Sequence, residues 1–225
     1  IDLLVGGPPC QGFCSINPGR HIDDPRNSCV DTFLYGCEVL NPDFVLIENV
    51  TGLLSLAKGE AINKIVRRLE ALNYFVNYMV LQAAHYGAPQ NRWRLIVAGS
   101  KRKKFEFPEP THFSEIKPNV AGGKKLTFST KNGSDLNDGY QAPVTVWDAI
   151  SDLPKIANGE GKTEAKYSRK ANTEFQLASR AMGGILYNHQ AQRLGEVNMQ
   201  RIVHIGEGQN WQAIPDSIVP QNIKR

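Results

Sequence analysis

The feature that most constrains this chain is the stretch Asp2-Leu3-Leu4-Val5-Gly6-Gly7-Pro8-Pro9-Cys10-Gln11-Gly12-Phe13. Leu3 to Val5 is a short continuous apolar run, the pattern of a buried parallel strand. Gly6 and Gly7 let the backbone bend closely, and Pro8 and Pro9 then remove two amide donors and stiffen the exit. A cysteine packed as a small hydrophobe is common, so burial alone is one account of Cys10. Its place after a strand and a tight turn favours the other account, because open α/β folds bind ligands at the carboxyl ends of their strands.

The rest of the first half repeats strand and helix. A polar loop runs from Cys14 to Asp24, with the turn signal Asn17-Pro18-Gly19, and is expected to be a lid beside Cys10. Asp24-Pro25 is a helix start, and Val30, Phe33, Leu34, Cys37 and Leu40 make one apolar face that ends before Asn41-Pro42. Phe44 to Ile47 reads as the next strand, delivering Glu48 at its end. A second helix is predicted over Gly59 to Leu72, with Lys64, Arg67, Arg68 and Glu70 on a solvated face. Strands are predicted over Tyr74 to Gln82 and Arg94 to Ala98, joined through Ala84-His85-Tyr86-Gly87-Ala88-Pro89. Strand, helix, strand, helix, strand, strand is part of a doubly wound Rossmann-like α/β sheet.

From about Lys101 the texture changes. Lys101-Arg102-Lys103-Lys104 is a basic run, and the turn dipeptides Asn132-Gly133 and Asn158-Gly159 follow. A short helix over Val144 to Leu153, stopped by Pro154, and a longer one over Gln190 to Ile205 are predicted. The remainder is polar and loop-rich. The division expected is a core over residues 1–105 and a mixed, loop-rich recognition domain over residues 106–225.

Composition narrows the possibilities further. No run of about 18 apolar residues exists, so no membrane span is expected. The net charge of +4 suits a polyanionic partner. The four cysteines, Cys10, Cys14, Cys29 and Cys37, lack the paired spacing of a structural zinc site, and a chain of this size needs no disulfide framework. Reduced thiols, no metal and a cytoplasmic or nuclear location are expected.

Pro9-Cys10-Gln11 with the nearby Phe13, Glu48-Asn49-Val50 at a strand end, and Gln90-Asn91-Arg92-Trp93-Arg94 before another strand stand in that order. In this order and context they resemble the DNA (cytosine-5)-methyltransferase family. The segment Val146 to Pro154 resembles the start of the family's target-recognition domain. The resemblance implies that the glycine-rich loop for S-adenosylmethionine and a closing Asn block lie outside this stretch, which then reads as an internal piece, about half of a catalytic unit.

The chemistry implied is covalent. Carbon 5 of cytosine is a poor nucleophile until a thiolate adds to carbon 6, and by resemblance Cys10 supplies it. Glu48 would hydrogen-bond or protonate ring nitrogen 3, a task that calls for a carboxyl raised by burial, and Ile47 and Val50 suggest such a setting. Arg94 would donate to oxygen 2, and Arg92 would support the Cys10 loop. Both arginines could instead bind phosphate. Pro9, Gln11, Asn49 and Gln90 are candidate substrate-side residues, with Asn49 expected to fix neighbouring backbone, and Lys101 and Arg102 are candidate phosphate contacts. Pro8 and Cys29 are the candidate cofactor contacts. Two departures stand out: Cys14 sits where the family commonly has Ser, and Cys29 where it often has Leu.

The target cytosine must leave the stack before a thiol can reach it, so the expected partner is double-stranded DNA, bound by a monomer that flips the base. Three other readings compete. A transfer-RNA cytosine-5 methyltransferase would use the same residues, though the large segment after Arg94 argues against it. A non-catalytic DNA-binding homologue would be surprising with Cys10, Glu48 and Arg94 all kept. A cysteine hydrolase would pair Cys10 with His85 but lacks an orienting third group.

Overall fold

The computed structural model describes residues 1–9, 28–113, 139–180 and 183–220, which fall into two compact units, Ile1–Val146 and Trp147–Arg225. The first unit thus runs past the change in texture at Lys101. Its centre is a four-stranded mixed sheet in the order β1 (Leu3–Gly6), β2 (Phe44–Asn49), β4 (Trp93–Ser100), β3 (Phe75–Gln82). β1 and β2 are parallel, while β4 runs antiparallel to both of its neighbours.

Helices α1 (Ser28–Leu40) and α2 (Glu60–Ala71) connect β1 to β2 and β2 to β3. Both crossovers step in the same direction across the sheet, and crossovers of one hand then lay both helices on one face. Val30, Leu34 and Cys37 of α1 and Ile62, Ile65 and Leu69 of α2 accordingly share one core with Val45, Ile47, Val80, Leu95 and Val97 of the sheet. Leu53 and Leu56, from two 3-10 turns after β2, complete it.

The opposite face of the sheet differs from expectation. Among the described residues Leu3, Val5, Phe44 and Phe75 are exposed there, so β1 is buried on one side only, as an edge strand rather than the fully covered strand its apolar run suggested. Neither Gly6, which ends β1, nor Gly7 has a positive φ; what Gly6 requires is space. A Cβ on Gly6 would stand 2.3 Å from the Phe33 ring, so glycine there lets α1 lie close on the sheet.

Helix ends follow local chemistry. Asn41, at φ 46°, closes α1 with its amide on the Cys37 carbonyl. Asn73, at φ 64°, closes α2: its amide donates to Glu70 O and that of Tyr74 to Leu69 O, the paired bonds of a Schellman motif. The charged side of α2 is solvated, with Lys64 and Arg68 reaching Asp31 on α1.

The second unit contains α3 (Val146–Ile150) from its second residue on, then β5 (Gly161–Lys166), α4 (Glu174–Arg180), β6 (Ile185–Gln190) and α5 (Glu196–Ile202). The helix expected from Gln190 to Ile205 is a correction: Gln190 ends a strand paired with Gly161, and the helix begins only after Gly195. The short helix ahead of Pro154 is confined to five residues. β5 was not foreseen, because Gly-Lys-Thr-Glu-Ala-Lys offers no apolar alternation and its pairing with β6 alone makes it a strand. No helix among the described residues is long and apolar enough to cross a membrane.

Candidate active site

Parallel pairing of β1 with β2 puts the chain that leaves Gly6 beside the carboxyl end of β2. Two consecutive side chains of β2 point to opposite faces there. Asn49 turns toward the helix-covered side and is buried, donating from Nδ2 to the Pro8 carbonyl at 3.2 Å and accepting from the Val50 amide at 2.8 Å. It therefore ties the Gly7-Pro8 segment to the end of β2. Glu48 turns to the open side, where a Cβ on Gly7 would lie 3.5 Å from its Oε2.

Arg94 comes from the neighbouring strand. Glu48 lies opposite Ile96 in the antiparallel β2–β4 ladder, so Arg94, two residues away, is its diagonal neighbour on the same face. Arg94 Nε sits 2.6 Å from Glu48 Oε1, and its Nη1 donates to the Trp93 carbonyl at 2.8 Å. The Glu48 side chain is 42% exposed, which departs from the dry setting suggested by Ile47 and Val50; β2 alternates, so those two neighbours do not flank the carboxylate. The end of the sheet thus presents a carboxylate and a guanidinium side by side, next to the segment that runs toward Cys10.

The other candidates are dispersed. Cys10 and Gln11 lie outside the described residues, as do Cys14 and the polar loop from Cys14 to Asp24. Pro9 is exposed at the edge of the described segment. Gln90 and Arg92 are exposed on the loop before β4. Cys29 is an exposed free thiol in the first turn of α1, whereas Cys37 is buried and burial pushes its thiol up to about 11. Lys101 and Arg102 lie beyond the far end of β4, which ends at Ser100, about 20 Å of strand from Arg94. Lys101 reaches Asn41 Oδ1 and lies over the Tyr74 ring, and Arg102 pairs with Asp43 at 3.1 Å and lies over Phe44. His85 is buried, edge-on to Trp93 with centroids 5.8 Å apart, and its carbonyl accepts from the Thr111 and His112 amides.

Sequence reasoning missed two polar residues that are completely buried. Gln82, at the end of β3, closes the loop leading into β4. Gln176 in the second unit donates to Ser151 Oγ at 2.8 Å and accepts from the Asn172 amide at 3.0 Å, while Thr173 Oγ1 accepts from the Gln176 amide at 3.1 Å. Thr173-x-x-Gln176 is a variant of a capping box, and that spacing was a readable signal for α4.

Within the second unit, a cleft of about 470 Å³ is lined by Lys166, Tyr167, Arg169, Lys170, Arg180 and Gly184 among others. Arg180 is committed inside it: it donates to both oxygens of Asp152 and to the Ala149 carbonyl, and its guanidinium lies 4.8 Å over the Tyr167 ring. Lys166, Arg169 and Lys170 are exposed around that fixed pair. Among the described residues no group of three or more His, Cys, Asp or Glu side chains could hold a metal ion.

Known proteins resemble the chain in both sequence and structure. It is 34% identical over 236 residues to the DNA (cytosine-5)-methyltransferase PliMCI of Paracentrotus lividus, an alignment covering all of this chain and 14% of that protein. It is 33% identical to the type II methyltransferase M.AgeI of Thalassovita gelatinovora, covering 92% of this chain and 48% of that one. The chain therefore spans less than half the length of either relative. A solved prophage-encoded protein of E. coli, described as a candidate DNA modification methyltransferase, shares the fold with a TM-score of 0.58 at 22% identity, over 93% of this chain and 57% of that one. The description of the C-5 cytosine-specific DNA methylases matches residues 1–221, and the chain belongs to that family.

Proposed function

We propose that this chain carries the base-activating half of an enzyme that transfers a methyl group from S-adenosylmethionine to carbon 5 of a flipped-out cytosine in DNA. The observation that supports this reading best is the Glu48–Arg94 pair, 2.6 Å apart at the carboxyl end of β2. Nitrogen 3 and oxygen 2 are adjacent on one edge of the pyrimidine, and both gain negative charge when a thiolate adds to carbon 6. A carboxyl group and a guanidinium held side by side match that edge, and the guanidinium stabilises charge that develops only during addition. In this reading the ring takes the place each partner offers the other, so the ion pair is a resting arrangement that substrate divides.

The remaining roles follow. Cys10 adds to carbon 6; carbon 5 takes the methyl group; loss of the carbon 5 proton then expels the thiolate. S-adenosylmethionine supplies the methyl group as a sulfonium, and Cys29, exposed in the first turn of α1, with the Pro8 turn, is the part of this chain proposed to face it. The sheet is proposed to be the later half of a Rossmann-like one, in which the bare face bearing Leu3, Val5 and Phe44 is covered by further structure, and residues 106–225 to belong to target recognition. DNA phosphates are assigned to the cleft rimmed by Lys166, Arg169 and Lys170, whose charges surround an acid already neutralised by Arg180. Lys101 and Arg102, which also reach Asn41 and Asp43, are further proposed phosphate contacts.

The test is covalent trapping. The whole protein, S-adenosylmethionine and a duplex containing 5-fluorocytosine should give a denaturation-resistant adduct, because fluorine blocks the final elimination. The adduct should vanish in Cys10→Ser. An adduct that survives Cys10→Ser, or forms only with transfer RNA, sinks this reading. In the same protein, alanine at Lys166, Arg169 and Lys170 together should flatten the log–log salt dependence of DNA binding by up to about 0.9 for each phosphate no longer neutralised.

A further inference from the structure

We propose that Gln82 is the positioning residue that sets where the guanidinium of Arg94 stands, by anchoring both ends of the loop that precedes it. This rests on the methyl-transfer reading above. Gln82 is the last residue of β3, pairs with Trp93 in the ladder, and is completely buried. Its Oε1 accepts from the Ala84 amide at 3.2 Å and from the Arg92 amide at 3.1 Å, and its Nε2 donates to Asn91 Oδ1 at 2.5 Å. One carboxamide thus holds the first turn after β3 and the two residues that immediately precede β4. The Ala83 amide adds a bond to the Arg92 carbonyl at 2.9 Å, closing the same loop.

The chemistry explains why glutamine is needed. The position calls for an oxygen with two lone pairs and a nitrogen donor on one planar group, at the reach of two methylenes, without charge. An apolar side chain would leave the Arg92 and Ala84 amides short of an acceptor inside the protein, and a carboxylate would bury a charge and face the Asn91 oxygen. Arg94 follows Arg92 by two residues, so a loop that slackens at Arg92 moves the strand that aims Arg94 at Glu48. Misplacement of about an ångström is enough to cost a catalytic group much of its effect.

Two substitutions in the whole protein test this. Gln82→Met keeps shape and loses every hydrogen bond: single-turnover methyl transfer should fall about 10- to 100-fold while the Kd for DNA stays within about twofold. Gln82→Glu should be impaired at neutral pH and recover relative to the unsubstituted enzyme as pH falls, since the protonated acid is neutral and again donates to Asn91. Hydrogen exchange at the Arg92 and Ala84 amides should quicken in Gln82→Met, a readout independent of activity. Unchanged exchange and unchanged transfer in Gln82→Met overturn the proposal, and so does a Gln82→Glu profile parallel to that of the unsubstituted enzyme. Should Gln82→Met not fold, the Gln82→Glu profile decides alone. If exchange quickens but the unsubstituted protein forms no adduct with 5-fluorocytosine, the anchor stands and the methyl-transfer reading fails.

Discussion

The Asp152–Arg180 pair of the second unit and the Glu48–Arg94 pair of the first are built for opposite ends. In the second unit Asp152 is 1% exposed and Arg180 19%, and the guanidinium makes two bonds to the carboxylate, one to a backbone carbonyl and a stacking contact with Tyr167. Nε and Nη2 both have fixed uses, and the contacts join α3 and the residues just after it to α4. In the first unit Glu48 is 42% exposed and Arg94 24%, with a single short contact between them. Such a pair contributes little to folding but is free to be divided by a ligand. A largely enclosed pair with several fixed bonds holds a fold together, whereas the half-open one at a strand end is the proposed site.

Breaking the enclosed pair should have the largest effect. Asp152→Ala leaves the Arg180 charge in the interior without its partner and should cost about 3–5 kcal/mol, read as a fall in the urea midpoint. A loss under about 1 kcal/mol would mean that water reaches Arg180 freely, and the contrast between the pairs would fail.

The half-open pair should show the reverse signature. Arg94→Ala should lower kcat about 10²- to 10³-fold with less than about 1 kcal/mol change in unfolding free energy. Arg94→Lys should restore little, because the contact to Glu48 comes from Nε and a lysine offers no planar fork. A large loss of stability in either variant would place Arg94 with Arg180 as a structural residue.

The contrast also accounts for what the sequence could reveal. Glu48 and Arg94 were legible because each sits at the end of an apolar strand, where alternation is interrupted by charge, and because the motifs around them are specific. The loop anchor Gln82 was not: in a run of alternating residues a glutamine looks like any polar side chain, and only the distant amides of Ala84 and Arg92 show its purpose. Asp152 and Arg180 are 28 residues apart, and nothing local links them. The same limit hid β5, which is a strand only because β6 lies beside it, and stretched the last helix across Gly195, where apolar spacing continued but the backbone did not. The bare sheet face was misjudged because a continuous apolar run does not say which of its sides the chain itself covers.

A third way of handling a buried titratable group is to keep it neutral, and Cys37 does so. Burial raises its thiol to about 11, against the opposing pull of a backbone hydrogen bond and Arg68. The folded state then holds the proton over a range in which the unfolded chain has lost it, so stability is whole below the ordinary thiol pKa and falls as pH rises from there through about 11. Cys37→Val should remove that alkaline loss while leaving neutral-pH stability within about 1.5 kcal/mol. An alkaline limb identical to that of the unsubstituted protein would assign the loss to other groups.

The smallest effect belongs to the exposed pair Lys64–Asp31, 2.9 Å apart with side chains 54% and 41% exposed. Its distance is comparable to that of either arginine pair, so distance alone would rank it with them. Exposure ranks it last: water screens both charges and two long side chains lose freedom in meeting. A double-mutant cycle should give a coupling of at most about 0.5 kcal/mol, vanishing near 1 M salt, where the screening length is about 3 Å. Arg68 also reaches Asp31, at 3.4 Å, so the cycle is best run with Arg68 intact in all four proteins, to keep that charge constant. A coupling above about 1 kcal/mol that resists salt would show that exposure is not what separates these pairs, and the assignment of Glu48–Arg94 as an openable pair would then need a ligand-bound measurement to stand.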